Sequence, residues 1–541
     1  MANTLYLQGN KLALVGHVPS KLAVMFHTLG IKVLPSRALL PRNPRLYEIL
    51  QDELPSLTVD IEASEWYEQI TAIEKERIAL KKLADFPVPQ GERLWPFQRV
   101  GVNFLLQTRR CLLCDEPGLG KTAQAIMAVN SSSLAQRVLV LCPNSLKGWW
   151  AEEIPRWTRE EVQITVIQAS ERGNLWRKFL SRGGYCIVNW ELVRRMPELQ
   201  KGGWNWILAD EAHRAKNRKT ALWRAFSKIK SSRLVLITGT PYSNTPDELW
   251  ALLHLLYPKQ WPSYWRFYEL YTAYEYGWNG KYRIPLGVKN EKYLVRDLAP
   301  IIIQRTKKAC LPQLPEKLYT TIPVALTKPQ KTMYNDMARY YIAELEDGDE
   351  IIAINAISRM LRLRQIVSTT ATIDIPDSSG KLDAVVELIK DAPRGTPYVV
   401  FSEFRATVAA LEKRLRKEKI KCAKLWGGMT QEEIAATVQG FQEGEDIDVL
   451  LATASTGGVG LTLTRAQTLI FVEKHYNPAR QTQAEDRIHR IGQKGQCHII
   501  SIQCPGTVDD LVEKILTRKE KMSAAVLQEE LLQNLRGYLS G

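Results

Sequence analysis

The sequence predicts an α/β protein of two parallel-sheet lobes with helical insertions and a small N-terminal accessory region. Apolar runs at 111–114, 138–142, 185–189, 206–209 and 234–237 alternate with helix-like stretches, the pattern of a parallel sheet with crossover helices. A second series follows at Tyr398–Phe401, Val449–Ala452, Thr468–Val472 and His498–Ile502. The 541 residues are too many for one core and suit three or four domains of ordinary size.

Residues 1–87 form the accessory region. Thr4–Val15 alternates like a strand pair with Gly9-Asn10 at its turn, and Ala63–Ala84 reads as a charged helix. Residues 1–47 hold six basic and no acidic residues, which fits either a nucleic-acid contact or ordinary surface variation. Pro87-Val88-Pro89 reads as a stiff linker. The first lobe is expected over 88–245. Residues 246–320 lose the alternation and crowd Trp250, Trp261, Trp265, Tyr268, Tyr271, Tyr274, Tyr276 and Trp278. A helical protrusion with an aromatic core is expected there, with a base-stacking surface as the alternative. It closes on Arg305-Thr306-Lys307-Lys308, suited either to phosphates or to a solvated turn. The second lobe is expected over 321–510, and 511–541 reads as one or two amphipathic helices.

The chemistry lies in three stretches. Residues 115–122 read Asp-Glu-Pro-Gly-Leu-Gly-Lys-Thr, after the apolar Cys111–Cys114 and before the helix-like Ala123–Val129. A strand, a glycine turn and a helix N-terminus present backbone N–H groups to phosphate, with Lys121 reaching the β/γ-phosphates of ATP and Thr122 the Mg²⁺. The strict pattern asks for Gly at 115, where this chain has Asp. Further on, Trp206–Ala209 reads as a buried strand ending in Asp210-Glu211-Ala212-His213, 89 residues after Lys121. An acidic pair there can hold Mg²⁺ through Asp210 and polarise water through Glu211. Residues 483–493 read Gln-Ala-Glu-Asp-Arg-Ile-His-Arg-Ile-Gly-Gln. On a helix, Arg487 and Arg490 would share a face and reach one anion, as a phosphoryl-transfer site requires.

Composition narrows the partners. The formal charge is +15, from 73 basic and 58 acidic residues, and the surplus lies in 91–541, consistent with a polyanion. No apolar run approaches the ~20 residues of a membrane span, and the N-terminus lacks a signal-peptide pattern, so a cytoplasmic, membrane-free protein is expected. The eight cysteines show no disulfide spacing. Cys111 and Cys114 form a lone pair inside a strand without nearby His, which reads as core packing rather than zinc.

These pieces, in this order from Leu94 to about Gln503, resemble the Swi/Snf-type ATPases, a branch of the superfamily-two helicases with two RecA-like lobes. Leu94–Gln98 looks like the adenine-reading Q-motif. Asp115–Thr122 is similar to the family's own P-loop, although Pro117 stands where Met is common. Pro143–Leu146 with Trp149 resembles motif Ia, Asp210–His213 the DEAH box, and Thr238–Pro241 with Asn244 motif III. Leu361–Gln365 resembles the block opening the second lobe, Ala454–Leu461 motif V, and the Arg487 segment motif VI. The compact form is similar to the annealing-helicase, or HARP-type, branch.

The resemblance implies ATP and Mg²⁺ as cofactors. Gln98 would read adenine, and Gly118, Leu119, Gly120, Lys121 and Thr122 would cradle phosphates. Asp210 and Glu211 would serve metal and water, Gly460 would sense nucleotide, and Arg487 and Arg490 would act in trans. It also implies a strand grip by Ser145, Lys147, Thr238 and Thr240 on one lobe and Ser455, Thr456 and Gly457 on the other. Such contacts go to phosphates, so no sequence specificity is expected. The reading is an ATP-dependent translocase on double-stranded or branched DNA, working as a monomeric motor, with 1–87 open to a protein partner. A strand-separating DNA or RNA helicase is the second reading. A scaffold with a relic motor is the third, and the presence of Lys121, Glu211 and both arginines argues against it. The lack of chromatin-reading segments favours a bacterial, archaeal or viral protein.

Overall fold

A computed structural model describes residues 3–34, 36–89, 91–133, 136–159, 161–239, 248–276, 283–346, 361–444, 446–453, 461–475, 478–510, 512–513 and 516. They form two compact units. The first holds the described residues up to Glu116 and Gly120–Arg305; the second holds Pro117–Leu119 and the described residues from Thr306 on.

The first unit begins with a small sheet. Strands β1 (Thr4–Gln8) and β2 (Lys11–Val15) pair antiparallel with Gln8 opposite Lys11. Gly9 takes φ 56°, which the first central position of a two-residue hairpin requires. With β3 (Val33–Leu34), β4 (Arg37–Pro41) and β5 (Thr58–Val59) the order is β3-β4-β2-β1-β5. Helices Ser20–Thr28, Pro44–Glu53 and Ile61–Leu80 accompany the sheet, whose core includes the fully buried Leu12, Phe26, Leu40 and Leu50.

This accessory region is bonded to the rest of its unit through buried charge. Arg45 pairs with Asp297, with Glu48 at 2.8 Å and with Glu74 at 2.9 Å. Burial works against its cation, but the three carboxylates outweigh that and raise its pKa. Lys81, at the end of the long helix, donates to the carbonyls of Ala299 and, at 2.7 Å, Ile302.

The first large sheet contains β6 (Arg110–Leu113), β7 (Arg137–Cys142), β8 (Ile164–Val166), β9 (Gly184–Asn189), β10 (Trp204–Asp210) and β11 (Ser231–Ile237). The aromatic segment departs from an all-helical protrusion. Helices Glu248–Leu256 and Tyr264–Tyr271 are followed by a hairpin of β12 (Thr272–Tyr276) and β13 (Arg283–Val288). Trp250, Trp261, Phe267 and Tyr271 join the lobe's core, whereas Trp265 and Tyr276 stay exposed. Trp278 lies outside the described residues. The chain then returns as β14 (Ile302–Ile303), giving the order β14-β6-β11-β10-β7-β9-β8 with every pairing parallel. Its central strands are covered on both faces, as Leu139, Val140 and Leu141 at zero exposure show.

The second unit is built around another wholly parallel sheet: β15 (Leu318–Pro323), β16 (Tyr398–Ser402), β17 (Cys422–Leu425), β18 (Val449–Thr453), β19 (Thr468–Phe471) and β20 (His498–Gln503). The order is β15-β20-β19-β16-β18-β17.

Candidate active site

Four neighbouring strands of the first sheet end in one row. Register sets Ile303 beside Leu113, Leu113 beside Ile237, and Ile237 beside Asp210. The glycine loop, the acidic pair, Thr238 and Arg305 therefore all leave the carboxyl edge of the sheet, where open α/β sheets bind ligands.

The loop after β6 is shaped by Gly118 (φ 91°) and Gly120 (φ 73°). Gly120 caps the helix Lys121–Asn130, and a Cβ there would lie 2.3 Å from Gln98 Nε2. Glycine is thus required by both torsion and space, and Gln98 is placed against the loop. The same glutamine accepts Trp95 N–H at 2.9 Å, closing the start of the helix Pro96–Thr108. Lys121 Nζ bridges the loop to Asp115 O at 2.7 Å, and Thr122 follows it in the first turn. Leu119 buries its side chain, which leaves backbone as its contribution to a ligand.

Asp115, the departure from the strict glycine pattern, is fully buried. Its carboxylate receives both arms of the Arg305 guanidinium and Gln124 Nε2 at 3.1 Å. It is an anchor for the loop, and the sequence carried no sign of its partner. Cys111 and Cys114 are buried strand residues whose thiol pKa burial raises, that of Cys111 to about 12.

Asp210 ends β10 inside the protein. Burial raises its pKa to about 6, with the charge of Glu211 adding to the shift, while Trp150 Nε1 (3.0 Å) and Glu211 N–H (2.9 Å) donate to its oxygens. Glu211 sits in the left-handed region at φ 50°, an uncommon conformation for a side-chain-bearing residue that functional sites hold against its cost. Its Oε2 lies 3.1 Å from His213 Nδ1, which in turn lies 3.3 Å from Thr238 Oγ1. Trp150 thus extends the site beyond the residues the sequence singled out, and His213, quoted there only as part of the acidic motif, gains a contact to Glu211.

That contact corrects one expectation. Thr238 is 1% exposed and its hydroxyl faces the acidic pair through His213, so it is not presented to a strand of nucleic acid. Ser145 is half-buried on a short turn, and Lys147 Nζ donates to Ile167 O at 3.2 Å, with burial lowering its pKa. Thr240, Ser455, Thr456, Gly457 and Gly460 lie outside the described residues.

In the second unit the helix Pro478–Glu485 stops before the arginines. A shared helical face is therefore corrected to a turn: Arg487 N–H donates to Ala484 O at 3.1 Å and His489 N–H to Glu485 O at 3.2 Å. Arg487 is 7% exposed, and Arg490 is half-buried with Nη1 3.3 Å from Leu461 O. Gln493 ties the turn down, donating to the carbonyls of Thr464, Ala466 and Ile488. Beneath it, Asp486 accepts from Lys307 and, at 3.1 Å, from Lys317. Behind the block opening this lobe, Arg364 donates to Lys474 O at 2.8 Å, and the buried Glu473 accepts from Ser368, Ser402 and Glu403 N–H.

A glycine loop and a buried acidic pair on one parallel-sheet edge, with an arginine-bearing turn on a second parallel lobe, define a helicase-like ATPase. The chain matches the SNF2-related domain over residues 97–371 and the helicase conserved C-terminal domain over 380–492. It belongs to the SNF2-related family. It is 28% identical over 471 residues to the DNA annealing helicase and endonuclease ZRANB3 of Bos taurus, covering 84% of this chain and 43% of the relative. It is 27% identical to the SWI/SNF-related matrix-associated actin-dependent regulator of chromatin subfamily A-like protein 1 of Xenopus tropicalis, over 84% and 47%. The chain thus spans less than half the length of these relatives. The SWI2/SNF2 ATPase core of Sulfolobus solfataricus, solved with double-stranded DNA, is 24% identical with a TM-score of 0.41, covering 84% of this chain and 99% of that one. No helix among the described residues is long and apolar enough to cross a membrane.

Proposed function

We propose that this protein is a DNA-dependent ATPase that moves along double-stranded or branched DNA without reading its sequence, as a monomeric cytoplasmic motor. The observation that carries it is the row of strand ends setting the phosphate loop, Asp210-Glu211 and Thr238 on one edge. Backbone N–H groups at the helix start and Lys121 would hold the phosphates, and Gln98 the base. The site residues suit Mg²⁺: Asp210 is a hard oxygen donor whose anion is disfavoured by burial and by Glu211, a condition a cation relieves. Thr122 and Asp210 would hold the ion, which when bound neutralises charge developing on the phosphates. Glu211 would orient the attacking water, with His213 steadying its carboxylate. Arg487 and Arg490 would stabilise the transferring phosphoryl group from the second unit.

Support for DNA as the partner comes from the excess of basic residues in 91–541 and from relatives named for action on DNA. The contacts from Thr238 through His213 tie the end of β11 to Glu211. ATP turnover on a duplex, a fork and an RNA hairpin at matched salt, with strand displacement measured alongside, tests the proposal. Duplex and fork should stimulate more than RNA, stimulation should fall steeply with salt as phosphate contacts are lost, and strands should stay paired. Strong RNA stimulation or displacement of a long strand would replace the translocase with a strand-separating helicase.

A further inference from the structure

Between Arg305 and Thr306 the chain passes from the first unit into the second. The run Arg305-Thr306-Lys307-Lys308 suited phosphates or a solvated turn, and Lys308 fits the turn, its side chain 83% exposed and 3.5 Å from Glu316. Arg305 and Lys307 are 14% and 7% exposed and bonded to protein.

Each holds a different piece of the nucleotide machinery, inside its own unit. Arg305 grips Asp115 with Nε (3.0 Å) and Nη2, Gln124 Oε1 with Nη2 (2.7 Å), and Phe97 O with Nη1. One guanidinium therefore fixes the residue before the phosphate loop, the helix after it, and the helix carrying Gln98. Lys307 Nζ donates to Asp486 and to His489 O (2.6 Å), the residues immediately before Arg487 and before Arg490. Thr306 Oγ1 accepts Ala309 N–H at 3.3 Å, capping the short helix that presents Lys307. Buried ion pairs add little net stability, because desolvation offsets attraction; what a bidentate arginine adds is direction.

We infer that Arg305–Lys307 is a coupling joint, in which Arg305 and Lys307 act as positioning residues that refer the phosphate loop and the arginine-bearing turn to one short stretch of chain. Two peptide bonds separate the anchors, a reach of at most ~7 Å. Each element is held by its own anchor within its own unit, and both anchors belong to this one short stretch of chain. The inference rests on Arg487 and Arg490 serving hydrolysis.

The test lengthens the joint without touching its bonds: two glycines inserted between Arg305 and Thr306 of the full chain, which leaves the Thr306 cap in place. ATP binding, read with a fluorescent analogue, should stay within about threefold, and turnover at saturating duplex should fall about tenfold or more. Turnover within about threefold of the parent would overturn the joint. If the insertion lowers the melting temperature, R305K, K307R and their double decide. Both keep charge and alter geometry. Coupled anchors predict a double no slower than the slower single, with kcat falling more than KM rises, whereas losses that multiply mark two independent structural contacts and overturn the proposal. K308A, at the exposed neighbour, should keep parental turnover; a loss equal to that of K307R would also overturn it. Arg490→Ala measured beside them reports separately on the arginines, since full turnover there sinks their role and not the joint's geometry.

Discussion

Asp210 of the first unit and Asp486 of the second are both buried aspartates, 9% and 6% exposed, each next in sequence to a residue proposed above to serve hydrolysis. Asp210 has two N–H donors and a second carboxylate for neighbours, and burial and Glu211 push its pKa up to about 6. Burial presses on Asp486 too, but Lys317 and Lys307 outweigh it and hold the carboxyl below its ordinary range. Equal depth thus accompanies opposite electrostatics. A carboxylate left short of positive charge is ready to receive a cation; one saturated by two lysines holds chain in place.

The comparison breaks first on turnover. Glu211→Gln and Lys121→Ala should each lower ATP hydrolysis by about 10²–10⁴-fold, the glutamine variant while still binding ATP. Arg490→Ala should cost about 10³–10⁵-fold with little change in melting temperature. Arg487 lies deeper, so Arg487→Ala should lose turnover and melting temperature together. Steady-state kinetics beside thermal melts separate the two arginines. Equal thermal losses would show that depth does not distinguish them, and wild-type turnover in Glu211→Gln would remove it from the chemistry.

Next in size is the cost of Asp486→Asn. Removing the negative partner leaves Lys307 and Lys317 less compensated in the interior, with a loss of up to about 3–5 kcal/mol. Urea unfolding followed in the second unit measures it. A loss under about 1 kcal/mol would show that Glu485, which also meets Lys317 at 2.8 Å, carries the site alone.

How far the sequence foretold this contrast follows from burial. Central strands β7, β10, β16 and β19, covered by protein, read as unbroken apolar runs. Edge strands β8, β15 and β17 did not, because they are short or mix polar with apolar positions: Leu318–Pro323 is largely exposed and reads Leu-Tyr-Thr-Thr-Ile-Pro. The hairpin at Thr4–Val15 was legible from alternation around one Gly-Asn, whereas β12 and β13 were hidden among aromatics that suit a helix equally. Loop glycines, Lys121 and the acidic pair stood out because phosphate and metal chemistry demands fixed spacing. Partners far apart in sequence did not. Nothing near Asp115 announces Arg305, 190 residues on, and nothing near Asp486 announces Lys307, 179 residues back. The arginine pair was read on a helix from its spacing of three, which a turn satisfies as well.

The smallest effect tests the contrast most directly. In metal-free protein the folded-state pKa of Asp210, about 6, lies above the ordinary unfolded value near 3.9. Between about pH 4 and 6 the native state then holds a proton that the unfolded chain has released, so stability from this group falls as pH rises, and the penalty is complete above that window. Asparagine carries no charge at any of these pH values. Asp210→Asn also removes one acceptor from Trp150 or from Glu211 N–H, but that loss is the same at every pH. Its melting temperature relative to the parent should therefore be higher at about pH 8 than at about pH 5, by about 2 °C or more. Asp486→Asn should show no such gain: with its folded pKa held low, the parent's stabilisation from that carboxylate persists across the same range and is lost only in stronger acid. Melting curves in chelator over this range decide it. If the two variants respond to pH in parallel, the buried aspartates do not differ in charge economy, and Asp210 has no special claim to a metal.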